Sequence, residues 1–292
     1  MRKQQGYTLI ELMIALALGL IIVAAVVLLL LVGVRSNAMQ QGVADLQDDA
    51  NFGLNYITQD IRLANLKTAT AKINDQTVYG GIVLSLHNLP EKFHNLSSIL
   101  LSRSDFGLSH VAQKSDQLVI QYRPMTTGGF DCEGRRIDDT NSTIIQRYFL
   151  RIDNVKESGE EQPLSLACDA GRYSDDSDVI LDYGDNGEII MKRVDHFHVL
   201  LSISTDQNLR RYISIQDYMA LEGDKPRILG VLLGALTRSV QNVGKDKSIE
   251  QNNHFTVLDQ NVVVQSNGLP KGYIRRVVSQ EIALRNALGE RE

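Results

Sequence analysis

The sequence predicts an α+β protein: one long N-terminal α-helix, apolar in its first half and amphipathic in its second, packed on a mainly antiparallel β-sheet head. Three observations predict it. Leu12 to Val34 is a run of 23 residues with no charge, amide side chain or proline. All five prolines fall later, at positions 90, 124, 163, 226 and 270, so no proline breaks a helix before Pro90. From about Lys67 the apolar residues leave steps of three and four and gather in strand-length runs.

The apolar run sets the first element. A helix of that length rises about 35 Å, enough to cross a hydrocarbon layer roughly 30 Å thick with slight tilt. A cleaved secretory signal has a shorter apolar core of about 7 to 15 residues and a small-residue cut site after it, and no such site follows Val34, so the run is expected to stay in the mature protein. Arg2 and Lys3 precede the span and only Arg35 immediately follows it, a bias that places the N-terminus in the cytoplasm and the head beyond the membrane.

Past Val34 the helix is expected to continue. Met39, Val43, Leu46, Ala50, Leu54, Ile57, Ile61 and Ala64 recur at steps of three and four, one face of a helix that docks on a head. A single helix from Tyr7 to about Leu66 would be roughly 90 Å long. The divisions are residues 1–6 as a leader, 7–34 as membrane span and filament core, 35–66 as the amphipathic continuation, and 67–292 as the β-rich head.

Within the head, Val78 to Leu86, Gln117 to Tyr122, Thr143 to Ile152, Val194 to Ser204, Ile228 to Leu236 and Gly272 to Leu284 read as strands, rich in Val, Ile, Leu and Tyr. Ile228 to Leu236 has few polar residues on either face, as a central strand covered on both sides would. Lys156 to Gln162, Ser174 to Asp178 and Gln241 to Asn253 read as polar loops. There is no internal repeat and no second domain boundary after residue 67.

A net charge of -5 and a pI near 5.7 argue against an extensive nucleic-acid groove, and no direct nucleic-acid binding is expected. The two cysteines, Cys132 and Cys168, lie in a domain placed outside the cytoplasm, where disulfides persist. A bridge would close a loop of about 37 residues and contribute up to ~4 kcal/mol. Two buried free thiols are the alternative.

The residues ahead of the span carry the most specific pattern. A short basic leader ends in Gly6, Tyr7 follows, and Glu11 is the one acid at the edge of the apolar run. A lone carboxylate near hydrocarbon is costly and calls for a partner. The pattern resembles the type IV prepilin signature, a basic leader ending in Gly, an aromatic first mature residue and Glu as the fifth. The usual first residue is Phe, so Tyr7 is a mild departure. The resemblance implies cleavage after Gly6 by a prepilin peptidase, methylation of the new Tyr7 amine, and a pilin-like fold. It also implies that Glu11 pairs with that amine on a neighbouring subunit, setting the stagger between subunits rather than adding net stability.

Ser115 to Tyr122, Phe130 to Gly134, Leu166 to Cys168 and Arg275 to Asn286 are similar to segments of the PilW minor pilins, whose cysteine placement also matches. That resemblance implies a disulfide, a place with other minor pilins and a PilY1-like adhesin in a tip complex that primes assembly, and contacts with the major pilin and the inner-membrane assembly platform. The chain would then start in the inner membrane, head in the periplasm, and move to the pilus tip. Motility, adhesion or DNA uptake would follow from the whole machine. A type II secretion minor pseudopilin shares the leader and helix and is the nearest alternative; a membrane-anchored periplasmic enzyme is a distant one.

Other constellations are weaker. His196 and His198 would share one strand face but lack a third ligand nearby, so a polar sheet face is expected rather than a metal site. Asp175, Asp176, Asp178, Asp182, Asp185 and Glu188 do not follow the calcium-loop spacing and read as a solvated loop. No nucleophile elbow, phosphate loop or zinc motif is present, so no catalytic residue, cofactor or metal is assigned.

Overall fold

The structure, a computed structural model, describes residues 6–94, 98–156, 160, 162–205, 209–240, 253–265 and 272–288. Helix α1 runs over Leu9–Ile61, 53 residues or about 80 Å. It is one continuous helix, ending five residues earlier than the periodicity predicts. Past Arg62 the chain turns tightly, and Asn65 takes a left-handed φ of 65°. Every described residue as far as Asn37 is exposed, whereas Gly42, Leu46, Ala50, Gly53, Leu54, Ile57, Thr58 and Ile61 form a buried stripe.

The head contains two antiparallel sheets and a hairpin. The first sheet has the order β1-β2-β3-β4-β5: β1 Arg103–Gly107, β2 Ser115–Tyr122, β3 Thr143–Ile152, β4 Leu164–Tyr173 and β5 Glu188–Met191. The second has the order β11-β8-β6-β7: β6 Val194–Ser204, β7 Arg210–Ser214, β8 Ile228–Arg238 and β11 Arg275–Ala283. β9 His254–Val257 and β10 Gln260–Val263 pair as the hairpin, and the short helix α2 spans Ile215–Met219.

One apolar core joins these layers. Ile57 and Ile61 of α1 meet Tyr148 and Leu166 of the first sheet and Phe197 and Leu233 of the second. The long helix packs along β5, β8 and β11. β8 is central and almost wholly buried, in keeping with its two apolar faces. Gly53 is required where α1 meets β5: a Cβ there would lie 2.9 Å from Met191 Cβ and 3.1 Å from the Ile190 carbonyl.

One expectation needs correction, and some strands escaped the sequence pattern. Val78 to Leu86 is not a strand; only Ile82 makes an isolated bridge, to Ile120. Two backbone bonds reach β2, Val83 N to the Val119 carbonyl and Gln121 N to the Gly81 carbonyl, and side-chain amides satisfy the neighbouring groups. Asn88 Oδ1 accepts from the backbone of Leu84 and Ser85, its Nδ2 donates to the Asn74 and Thr77 carbonyls, and Gln121 Nε2 donates to the Gly80 carbonyl. Ile82, Val83 and Leu84 are thus buried with a single bridge rather than a continuous ladder. The head is also split into two sheets, and β4, with Ala167, Ala170 and Gly171 in it, carries too little β-branched character to read as a strand. Gln241 to Asn253 lies outside the described residues except at Asn253, and Lys156 to Gln162 is described only at residues 156, 160 and 162.

Candidate functional site

The site predicted from the sequence begins at the head of α1. Thr8 is the N-cap in extended conformation, and its hydroxyl accepts from the Glu11 backbone N–H at 3.3 Å. Glu11 Oε2 in return accepts from the Thr8 backbone N–H and the Thr8 hydroxyl, both at 2.9 Å. This is a reciprocal capping box, which satisfies helix-end donors that would otherwise face hydrocarbon. Thr8 is a functional residue the sequence reading missed, although Thr followed by Glu three residues later ahead of an apolar run is legible. Gly6 has no atom within 4 Å of its missing Cβ, and Tyr7 is 91% exposed. From Leu12 to Val34 the helix presents an uninterrupted apolar surface: its most apolar 18-residue window has a mean hydropathy of 3.3, and none of it is buried.

The other half of α1 is bound to the head through polar as well as apolar contacts. Cys132 and Cys168 are joined in a disulfide, with Cα atoms 6.1 Å apart. Cys168 is paired across the ladder with Tyr148, and the Cys132 carbonyl accepts from the Tyr56 hydroxyl at 3.1 Å. One turn along, the Tyr148 hydroxyl donates to Asp60 at 3.2 Å. Burial pushes the Asp60 carboxyl up to about 7; the Tyr148 hydrogen bond opposes the shift and the nearby Asp131 charge adds to it. The disulfide therefore braces the loop on which the helix is anchored.

Comparison with known families separates the two ends of the chain. The prokaryotic N-terminal methylation motif matches residues 1–32, and the family described as Type IV Pilus-assembly protein W matches residues 154–286. The two matches together support a type IV pilin, a PilW-type minor pilin. A type IV-like pilin from Thermus thermophilus aligns over 83% of this chain and 96% of its own, at 9% identity and a TM-score of 0.43. Comparison with curated proteins gives no significant match. A PilW-type pilin is a membrane-anchored subunit of the type IV pilus that works with other pilus components, in a family that is structural rather than enzymatic.

In this PilW-type pilin the remaining candidate groups are built into the head. His196 and His198 share one polar sheet face, as the strand alternation suggested, but that face is covered and both are fully buried. His198 lies between Asp116, 2.7 Å from Nδ1, and Asp259, 2.8 Å from Nε2. Burial alone would lower its pKa, but the two carboxylates reverse that and raise it. His196 contacts Ser109 at 3.1 Å and Gln260 at 3.1 Å, and its pKa is lowered, first by burial. The pair fastens the β9–β10 hairpin, carrying Asp259 and Gln260, onto β6.

The acidic stretch is dispersed rather than convergent. Of it, only Asp185 joins a carboxylate group, with Glu133 and Asp169. Two guanidiniums already occupy that group: Arg135 is 2.7 Å from Glu133, and Arg147 is 2.8 Å from Asp169. Asp175 instead pairs with Arg123 at 2.7 Å and accepts from the Tyr79 hydroxyl.

Proposed function

We propose that the chain is cut behind Gly6 and methylated on the freed Tyr7 amine. It then enters a tip complex with other minor pilins beneath a PilY1-like adhesin, priming assembly of the major pilin on the inner-membrane platform. The head folds in the periplasm while α1 waits in the inner membrane. Motility, adhesion and DNA uptake are then properties of the filament it starts.

The observation that carries this reading is the N-terminal half of α1, wholly exposed and apolar, with one carboxylate at its edge. Lipid can cover the apolar surface, but Glu11 gains a full partner only when a neighbour brings a cation. Within one chain Glu11 spends Oε2 on Thr8. Oε1 is left for the Tyr7 amine of the next subunit, and a mispaired stagger would bury a lone charge.

Intact mass and N-terminal sequencing of the protein from membranes and from sheared filaments test the reading. A chain starting at methylated Tyr7 and sparse in filaments is expected. Glu11→Ala and Glu11→Leu should insert and be cut normally but fall several-fold in the filament fraction. Normal filament levels would remove the register role; a chain retaining Met1, or one co-purifying with a secretion complex, would overturn the pilus assignment.

A further inference from the structure

The second sheet ends at β11, whose outer edge pairs with no strand among the described residues; there the Glu281 carbonyl accepts from the Gln280 side chain. The register fixes which backbone groups are free. Ser239 N donates to the Ile274 carbonyl and Leu284 N to the Leu229 carbonyl, with Arg276 opposite Thr237 and Ile282 opposite Val231. Even-numbered residues of β11 thus bond inward to β8, and Val277, Ser279 and Glu281 direct their N–H and C=O groups outward. An open edge of nine residues is a template for another strand.

That edge forms one wall of a groove of about 420 Å³ lined by Arg276 to Gln280, and α1 forms the other with Gln47, Asn51, Leu54 and Asn55. Gln47, Asn51 and Asn55 are four residues apart and stand in one row. The neighbouring side-chain hydrogen bonds of α1 are made by Asp49, Tyr56, Thr58 and Asp60, and among the described residues the three carboxamides make none. A carboxamide both donates and accepts, so such a row suits a peptide backbone.

We infer that this groove receives an extended segment from the head of a neighbouring pilus subunit, added as a fifth strand beside β11 and bridged to α1 by the three carboxamides. An extended chain is the match for a strand edge; a helix has already satisfied its own backbone groups. A neighbouring subunit is the partner because the groove lies on the same helix as the exposed apolar half, only a few turns beyond it. Whatever stacks on Leu9 to Val34 is thereby brought alongside Gln47. Such a neighbour exists only if the chain enters a filament as proposed above.

The test uses the full chain in its native cell, with a benzophenone photo-crosslinker in place of Ser279. Irradiated filaments are expected to yield a linked species whose other end maps, by mass spectrometry, to a strand-length head segment of a different subunit that has its own methylation motif. A link within the same chain, to a second copy of it, or to a partner's N-terminal helix would overturn the inference. Ser279→Pro removes one outward N–H while leaving the bonds to β8 in place, a substitution edge strands tolerate. It should match the unaltered chain in membrane level and disulfide content but fall roughly five-fold in filaments, the worth of one lost backbone hydrogen bond. If Ser279→Pro lowers the membrane level, Asn51→Leu with Asn55→Leu replaces it, with loss of the Ser279 cross-link as the expected result. A chain carrying the crosslinker that is cut before Tyr7 and present in filaments, yet gives no link to another subunit, refutes the strand addition alone. One that is neither cut nor found in filaments refutes the filament reading beneath it.

Discussion

Replacing Asp60 by asparagine removes a charge that the helix–head contact holds at a cost. The folded carboxyl stands at about 7 against an ordinary 3.8. A gap of about 3 units corresponds to about 4 kcal/mol. Asp60 keeps partial contact with water, so screening reduces its expected share to about 2 kcal/mol. The folded pKa of an acid is raised here, so the folded state holds the proton more tightly. Stability is therefore highest below the unfolded value and is lost as pH rises through about 4 to 7. Glu133, pushed up to about 7 chiefly by burial, and His198, raised by its two carboxylates, contribute with the same sign. Urea unfolding of the full chain in detergent, at about pH 5 and about pH 8, separates these contributions. Asp60→Asn should gain about 2 kcal/mol at about pH 8 and flatten the difference between the two pH values by about 1 kcal/mol, since asparagine still accepts from Tyr148. An unchanged slope, or a loss of stability at about pH 8, would refute a buried charge at this position.

Two further changes probe the same contact. Cys132→Ser should cost about 2 to 4 kcal/mol and make the protein indifferent to reductant; equal urea midpoints with and without reductant in the parent would contradict the bridge. Gly53→Ala should destabilise the head by about 1 to 3 kcal/mol despite the better helix propensity of alanine, because the new methyl meets Met191 and the Ile190 carbonyl. A gain in melting temperature would mean that β5 yields.

The long helix was legible because its two signals, an uncharged run and a stripe at steps of three and four, are local. The strands at Gln117, Thr143, Val194 and Ile228 were legible for the same reason. β4 and the Val78 to Leu86 segment were not: whether an extended run finds a ladder depends on Asn88, Gln121 and Tyr148, which are distant in sequence or polar by type. The N-terminal pattern gave Gly6, Tyr7 and Glu11 as candidates, but Thr8 lay unread between them. Asp60 was passed over because a carboxylate reads as solvent-facing by type, although it stands three residues after Ile57 on the flank of the docking stripe; its raised pKa comes first from burial against a head whose contact, Tyr148, is 88 residues away.

The bracing of Cys132 also has a mechanical side. Apart from chain continuity, the buried contacts of α1 with the head lie at or beyond Gly42 among the described residues, so a pull on the apolar segment reaches the head through that stretch. Tyr56 delivers part of it to the Cys132 carbonyl, and the disulfide passes it sideways into β4, an inner strand of a five-stranded sheet. A retracting filament would therefore load a cross-linked sheet rather than a free loop, and reduction of one bond would turn a rigid coupling into a compliant one.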